Sequence, residues 1–369
     1  MIRFLHCADL HLDSPFSGLN AAQSEVRRQE QRELFRTLIC HAKNRRVDFL
    51  LIAGDLFDSG FTSSSTVKFV SEMLATLDCP VIISPGNHDF YTENGLYGGT
   101  FPSNVMIFTS EKLSSFYLSK INVMIHGYAS TSDRHEENPL DGGITIDPTK
   151  INILCAHADL DVPLSKYAPI TSKQLANSGL DYAALGHIHN APKTATYGKT
   201  LTAYSGCLEG RSFDELDFGG AIEVCIDGNR ITSENIRIAK HRYMVDTLDI
   251  TGAEKDSDII NRLKQHITTK NYKEDTALRV ILTGALPPDY TPALSLITDT
   301  VTGVYRLDIK DNTTPILDFE ELERDMSIRG EFYRELVSKI KTADEQERKI
   351  AAEALRIGLC ALSGKPIVF

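Results

Sequence analysis

The feature that most constrains this chain is an apolar run, Leu50-Leu51-Ile52-Ala53, that stops abruptly at Gly54-Asp55-Leu56-Phe57-Asp58. Such a run reads as a buried strand that delivers Asp55 at its C-terminal end. Ligands of open α/β sheets bind outside those carboxyl ends, where a carboxylate can face a metal while the strand stays dry. The same pattern recurs four times. Ala8-Asp9-Leu10-His11, Gly86-Asn87-His88-Asp89, Cys155-Ala156-His157 and Gly186-His187-Ile188-His189 each follow an apolar run or close one.

Ile2 to Cys7 reads as a strand and residues 22–45 as a helix, with Val26, Leu34, Leu38 and His41 or Ala42 on one face. The strand Val47 to Ala53 follows, then a helix through Val67, Val70, Leu74 and Leu77, stopped by Pro80, and a strand Val81 to Ser84. Two βαβ-like passages thus present the first three polar motifs on one edge. Beyond Tyr91, short segments at 105–109, 116–118 and 121–126 read as a second layer of sheet, and 131–148 as a polar surface loop. Residues 151–156 and 182–185 read as buried strands, and 201–204, 221–226 and 231–238 complete a β return.

The pattern shifts near residues 240–246 to an α+β module, with strands near 244–250, 277–282 and 304–309 and helices near 256–268 and 291–298. From 318 to 362 the chain reads as helical, with apolar faces at Phe332, Leu336, Val337 and Ile340 and at Ile350, Ala354, Leu355 and Leu362. The expected class is α/β: a two-layered β-sandwich flanked by helices over 1–240, a small α+β capping domain over 241–315 and a helical C-terminal region over 316–369.

The chain's 369 residues exceed what one core holds. Its net charge of −11 argues against coating nucleic acid through bulk positive potential, although bound metals or a partner protein can supply positive charge locally. Seven scattered cysteines without a close pair fit reduced thiols and argue against a cysteine-based metal site. No apolar run approaches the roughly 20 residues of a membrane span, and the chain enters a strand without a charged leader, so a cytoplasmic location is expected.

Asp9, His11, Asp55, Asn87, His157, His187 and His189 are the oxygen and imidazole donors suited to Mn, Fe or Zn. Seven donors exceed the positions of one ion, whereas a carboxylate such as Asp55 can bridge two. Such a pair polarises a phosphoryl oxygen and lowers the pKa of water, so the reaction class is metal-assisted phosphoester hydrolysis. A lone histidine at an apolar edge is more often a core residue. Here five of the eleven fall in ordered motifs, and only His6, His41, His126, His135, His241 and His266 carry none. Arg211, in a Gly-Arg-Ser turn, suits a substrate phosphate or an ion pair with Asp214 or Glu215 equally well.

In this order and spacing, the five motifs resemble those of the calcineurin-like metallophosphoesterases over about residues 1–240. The resemblance implies one ion held by Asp9, His11, Asp55 and His189 and another by Asp55, Asn87, His157 and His187. It implies that His88 contacts the scissile phosphate and protonates the leaving oxygen, with Asp58 orienting and charging the ring. Leu5-His6-Cys7-Ala8-Asp9-Leu10-His11-Leu12-Asp13, Gly54 to Gly60 and Ser205 to Glu215 resemble the SbcD-type DNA repair exonucleases, in particular their YhaO-like branch. Phosphoprotein phosphatases carry Arg and Glu where this chain has Ser59 and Asp89. The resemblance further implies Mn-dependent cleavage of DNA, a capping domain, docking of an SMC-like (SbcC-like) ATPase on the C-terminal helices, and a homodimer. Two rivals stand beside it: a phosphatase or cyclic-nucleotide phosphodiesterase on the same core, and a mainly structural protein bridging an ATPase to DNA ends.

Overall fold

The computed structural model describes residues 1–58, 60–99, 101–190, 193–217, 219–287, 290–316 and 319–362, and of these the side chains of all but 349 and 360. Ser59 and residues 363–369, to which the motif and helix readings extend, lie outside the described residues. The chain divides into two compact units, Met1–Arg242 and Tyr243–Phe369.

In the first unit the elements run β1 (Ile2–Cys7), α1 (Ala21–Arg45), β2 (Phe49–Ile52), α2 (Ser64–Ala75), β3 (Val81–Ile83), β4 (Val105–Ile107), β5 (Ser114–Leu118) and β6 (Val123–Gly127). They continue with β7 (Ile151–His157), α3 (Ser172–Ser178), β8 (Tyr182–Gly186), β9 (Lys193–Tyr197), β10 (Thr200–Tyr204), β11 (Gly220–Asp227) and β12 (Arg230–Arg237). Two six-stranded sheets form, in the orders β12-β11-β1-β2-β3-β4 and β5-β6-β7-β8-β10-β9. The strands β1 to β4 run parallel, as do β6, β7, β8 and β10.

Period-two alternation explains how the central strands are buried on both faces. Phe4, Phe49, Leu51 and Ile82 of the first sheet meet Ile125, Ile153, Cys155 and Tyr182 of the second in one core. Their neighbours Leu5, Leu50, Ile52 and Ile83 turn outward onto Leu34, Phe35 and Leu38 of α1 and Val70 and Leu74 of α2. Leu154, Ala156 and Leu185 turn outward onto Leu175 of α3 and Leu140. The result is the α/β class with a β-sandwich flanked by helices.

Three local readings differ from the structure. Residues 105–109 read as second-layer strand, yet β4 joins the first sheet beside β3, because alternation reports burial and not the pairing partner. The final β return divides, β10 entering the second sheet and β11 and β12 the first. Val26 reads as part of the buried face of α1 but is exposed. That half of the helix turns polar residues inward instead: Arg27 donates to Glu209 Oε1 (3.0 Å) and Gln31 donates to the His11 carbonyl (3.0 Å). The helix itself is well specified. Asn20 and Gln23 form a reciprocal capping box at its start, and Arg46 closes it with φ 51°.

The second unit contains β13 (Arg242–Asp249), α4 (Asp256–Thr269), β14 (Thr276–Thr283), β15 (Ala285–Leu286), α5 (Leu294–Thr300), β16 (Arg306–Asp311) and β17 (Thr314–Pro315). Helices α6 (Phe319–Arg324), α7 (Ile328–Thr342) and α8 (Glu345–Leu362) follow. A three-stranded sheet, β13-β14-β16, packs on α4 and α5 through Ile259, Leu263, Val280 and Ile297. The three C-terminal helices share a separate cluster of Leu322, Tyr333 and Leu359, with Phe332, Val337 and Leu355 against it. Among the described residues, no helix is long and apolar enough to cross a membrane.

Candidate metal centre

Register delivers the motifs to one place. Cys7 pairs with Ile52 and Ile52 with Ile83, so the chain leaves β1, β2 and β3 side by side at Asp9, Asp55 and Asn87. His157 pairs with Gly186, so β7 and β8 likewise end together. The loops beyond the strands are locked by backbone bonds from Asp9 N to Gly54 O (3.0 Å) and from His11 N to Asp55 O (2.9 Å). The second sheet is tied in where His187 N donates to both carboxylate oxygens of Asp9 at 3.1 Å.

Asp9, His11, Asp55 and His187 all adopt left-handed backbone, with φ of 53°, 45°, 50° and 101°. Non-glycine residues are held there only when their surroundings over-determine them, and such positions concentrate at functional sites. Two glycines are required by close approach. A Cβ on Gly54, whose φ is +93°, would lie 2.2 Å from His157 Nδ1, and one on Gly86 would lie 2.2 Å from Asp55 Oδ1.

Asp9, His11, Asp55 and His189 offer ligand atoms that all lie within 4.8 Å of one another. His11 Nε2 faces His189 Nε2 at 3.2 Å and Asp55 Oδ2 at 3.5 Å, and His189 Nε2 lies 3.7 Å from Asp9 Oδ1. On the other side of Asp55, His157 Nε2 approaches Oδ2 at 3.3 Å and Asn87 Oδ1 at 3.0 Å. The His187 ring stands edge-on to His157 at 5.2 Å, and its Nε2 lies 3.5 Å from Asp159 Oδ1. Asp9, His11, Asp55, Asn87, His157 and His189 thus converge, and the His187 ring lies at the edge of the group beside His157.

The donor set fits divalent cations on an observation of its own. Asp55 Oδ2 is fully buried and accepts no hydrogen bond, although it lies between two imidazole nitrogens. An orphaned buried carboxylate oxygen is expensive unless it coordinates a cation. The His189 Nε2 lone pair, left free because Nδ1 donates to Glu215, also faces this space, 3.2 Å from His11 Nε2. His157 Nδ1 donates to the Ala53 carbonyl at 3.0 Å, a tautomer that leaves its Nε2 lone pair turned toward Asp55 and Asn87. Burial pushes the Asp9 carboxyl up to about 6, and neighbouring Asp55 adds to the rise. Burial also opposes charge on Asp55, but positive charge beside its bare oxygen, which a protonated His157 supplies where no cation is bound, outweighs it and holds that carboxyl far below the usual range.

His88 is half exposed above this cluster. Its Nδ1 lies 3.3 Å from Asp58 Oδ1, and that hydrogen bond raises the imidazole pKa above its ordinary value. Asp58 Oδ2 accepts from Ser14 Oγ at 3.1 Å, and Ser14 Oγ in turn accepts from Arg211 Nη1 at 3.2 Å. Of the two readings open for Arg211, the ion pair is present: its Nη2 lies 2.6 Å from Glu215 Oε1.

Three residues that carry no assigned role in the sequence reading support the cluster. Glu215 accepts from His189 Nδ1 at 2.7 Å and so aims the opposite nitrogen at Asp9 and His11. Burial works against its charge, yet His189 and Arg211 hold its carboxyl far below the usual range. Asp159 stands against His187. Asp89, fully buried, accepts from the backbone nitrogens of Asp55, Leu56, Phe57 and Gly86 and from the Tyr97 hydroxyl. The signal for Asp89 is its place directly after Asn87-His88; for Glu215 it is only its spacing of four from Arg211.

Residues 2–191, which contain all five motifs, match the family model described as calcineurin-like phosphoesterase. The chain is 28% identical to the uncharacterized metallophosphoesterase YhaO of Bacillus subtilis, over 78% of this chain and 72% of that one. It is 24% identical to a component of the nuclease SbcCD of Staphylococcus epidermidis, over 63% and 68% of the respective chains. It is also 24% identical to the DNA double-strand break repair protein Mre11 of Aeropyrum pernix, over 71% and 67%. On the family match, and with a buried donor cluster at the strand ends, the chain belongs to the calcineurin-like phosphoesterases, phosphoester hydrolases whose fold implies a dinuclear divalent-metal site.

Proposed function

We propose that this phosphoester hydrolase is a metal-dependent DNA nuclease. The observation that carries the choice of substrate is the reach of the similarity. The alignments with the SbcCD component and with Mre11 cover 63% and 71% of this chain, more than the stretch 2–191 that the family model matches. In this reading Asp9, His11, Asp55 and His189 hold one ion, and Asp55, Asn87, His157 and His187 hold the other, with Asp55 shared. Bound there, two divalent ions supply Lewis-acid polarisation of a phosphoryl oxygen and water activated near neutral pH. Manganese is the metal we assign, with iron and zinc compatible with the same nitrogen and oxygen donors.

His88 carries the proton. Held by Asp58 and raised above its ordinary pKa, it donates from the ring to the departing oxygen, and Asp58 fixes the orientation in which it does so. Arg211 is proposed to add a cationic contact to the substrate phosphate; its bonds to Glu215 and Ser14 leave it fixed beside Asp58. Residues 241–315 serve as a cap and 316–369 as the docking region for an SMC-like ATPase, with a homodimer as the assembly and the cytoplasm as the location. The exposed Ile328 and Ile350 on α7 and α8 suit that docking role.

Digestion of end-labelled duplex and single-stranded DNA with added Mn tests the reading. Wild-type chain yields products that the Asp55→Asn variant does not. Fast turnover of small phosphoesters with no Asp55-dependent DNA product would overturn it in favour of a phosphatase or cyclic-nucleotide phosphodiesterase.

A further inference from the structure

Beside the metal loops lies a cleft of about 740 Å³, whose lining includes Arg28, Arg32, Arg36, Phe61, Ser63 and Ser65. The three arginines recur every fourth residue of α1, so their stems rise about 6 Å per step along one helix face. They make a row of guanidiniums that already holds oxyanions: Glu25 on Arg28 and Arg32, Asp13 on Arg32 and Glu33 on Arg36. Glu25 Oε2 accepts from Arg28 Nε at 3.0 Å and Nη2 at 2.9 Å, and Glu25 Oε1 accepts from Arg32 Nη2 at 3.1 Å. That carboxylate belongs to a side chain 59% exposed, so it occupies a position that solvent and solutes reach. A guanidinium fork that holds a carboxylate in this way also matches a phosphate, whose charge is larger. The exposed ion pair itself contributes little to stability, so its exchange for a stronger anion is easy.

Two further observations bear on what such an anion would belong to. Phe61, at 62% exposure, opens an aromatic face at the rim, and the Arg36 guanidinium is steadied 4.9 Å over the Phe69 ring. Cationic groups interleaved with an open aromatic face are the construction that tracks a single nucleic-acid strand, phosphates on the arginines and bases on the rings. The cleft is also fastened to the metal loops. Asp13, two residues beyond His11, accepts from Arg32 Nη1 at 2.9 Å and from Ser63 N and Oγ at 3.0 Å.

We infer that this cleft takes a nucleotide of the substrate strand flanking the scissile phosphodiester, with its phosphate between Arg28 and Arg32 where Glu25 now lies and its base against Phe61. The inference rests on the nuclease reading for the identity of its ligand. Glu25 then acts as an internal competitor for the phosphate, which gives the site a signature that a mere staple of α1 lacks.

The test is a fluorescence-anisotropy titration of the full chain with a labelled short oligothymidylate in EDTA, where no cleavage intervenes. Arg28→Ala weakens binding about tenfold and lowers the salt dependence by about 0.7 in slope for the lost contact. Phe61→Ala also weakens it, whereas Glu25→Gln tightens it, and Lys43→Ala on the same helix leaves it unchanged. Thermal melts establish that each variant is folded. Binding insensitive to Arg28 and Phe61, or weakened by Glu25→Gln as by Arg28→Ala, overturns the inference. So does Arg28-dependent binding of thymidine monophosphate without binding of the oligonucleotide. Failure of the wild-type chain to cleave DNA with Mn, by contrast, overturns the nuclease reading, since the titration needs no catalysis.

Discussion

Asp55 keeps its two carboxylate oxygens in different company: Oδ1 accepts the His88 backbone N–H at 2.9 Å, while Oδ2 stands bare between His11 and His157. If that oxygen is shared by both halves of the cluster, the two halves respond together to its loss. Calorimetric titration with Mn should then find about two ions on the wild-type chain, one on Asp9→Asn and neither in the same range on Asp55→Asn. A single remaining ion on Asp55→Asn would mean the oxygen is not shared. His88 invites a different measurement. As the acid for the leaving oxygen, its replacement in His88→Ala should slow esters with poorly departing alkoxides by about 10²- to 10⁴-fold. An ester that releases nitrophenolate, which needs no proton, should slow far less. Equal losses on both would leave His88 a binding residue only.

At the scale of elements, the strands deliver the donors but a buried carboxylate shapes the loop that carries them. Asp89 takes four backbone N–H groups from the turns at Gly86 and at Asp55 to Phe57, which joins the second motif to the third. Asp89→Ala would strand those donors in a dry interior, at about 1–3 kcal/mol for each one that water does not reach. The expected result in urea unfolding is a loss of about 3 kcal/mol or more, together with weaker Mn binding, although Asp89 is not among the proposed ligands. Unchanged stability would mean that water replaces the carboxylate. The N-terminal half of α1 follows the same logic, since Arg27 and Gln31 spend buried helix positions on the Glu209 carboxylate and the His11 carbonyl. An apolar periodicity cannot reveal a helix face of that kind.

Across the first unit as a whole, a histidine in the core helps to join the two sheets. His6 on β1 is fully buried, with Nδ1 3.0 Å from the Tyr182 hydroxyl and Nε2 3.2 Å from the Leu185 carbonyl, both on β8 of the opposite sheet. With both nitrogens satisfied in the neutral ring, burial lowers its pKa from 6.5 to about 3, only partly offset by the Leu185 bond. Its folded pKa thus lies below its unfolded one, so between these values the unfolded chain binds a proton that the folded chain refuses. The stability is complete above pH 6.5 and falls as pH drops toward 3, by up to about 1.4 kcal/mol per pH unit. Urea unfolding of wild type and His6→Gln at several pH values checks this. The variant should lose that part of the acid-side slope whatever its stability at neutral pH, and parallel slopes would exclude it.

The sequence by itself determined the kinds of donor and the strand ends that carry them. An apolar run that breaks at Gly-Asp or Gly-Asn-His is a local pattern, readable because burial on both faces and the need for glycine at a crowded turn are written in consecutive residues. Asp55, Asn87, His187 and His189 stand at such a glycine break, whereas Asp9, His11 and His157 close their apolar runs without one. Tertiary structure alone decided which strands pair, so that β4 extends the first sheet and β10 parts from β11. It alone turned Asp89, Glu215, Asp159 and His6 into partners of groups far along the chain or on the opposite sheet. Each of these is a single polar side chain whose meaning lies in a neighbour brought within hydrogen-bond reach by folding, and no periodicity in the chain carries that information.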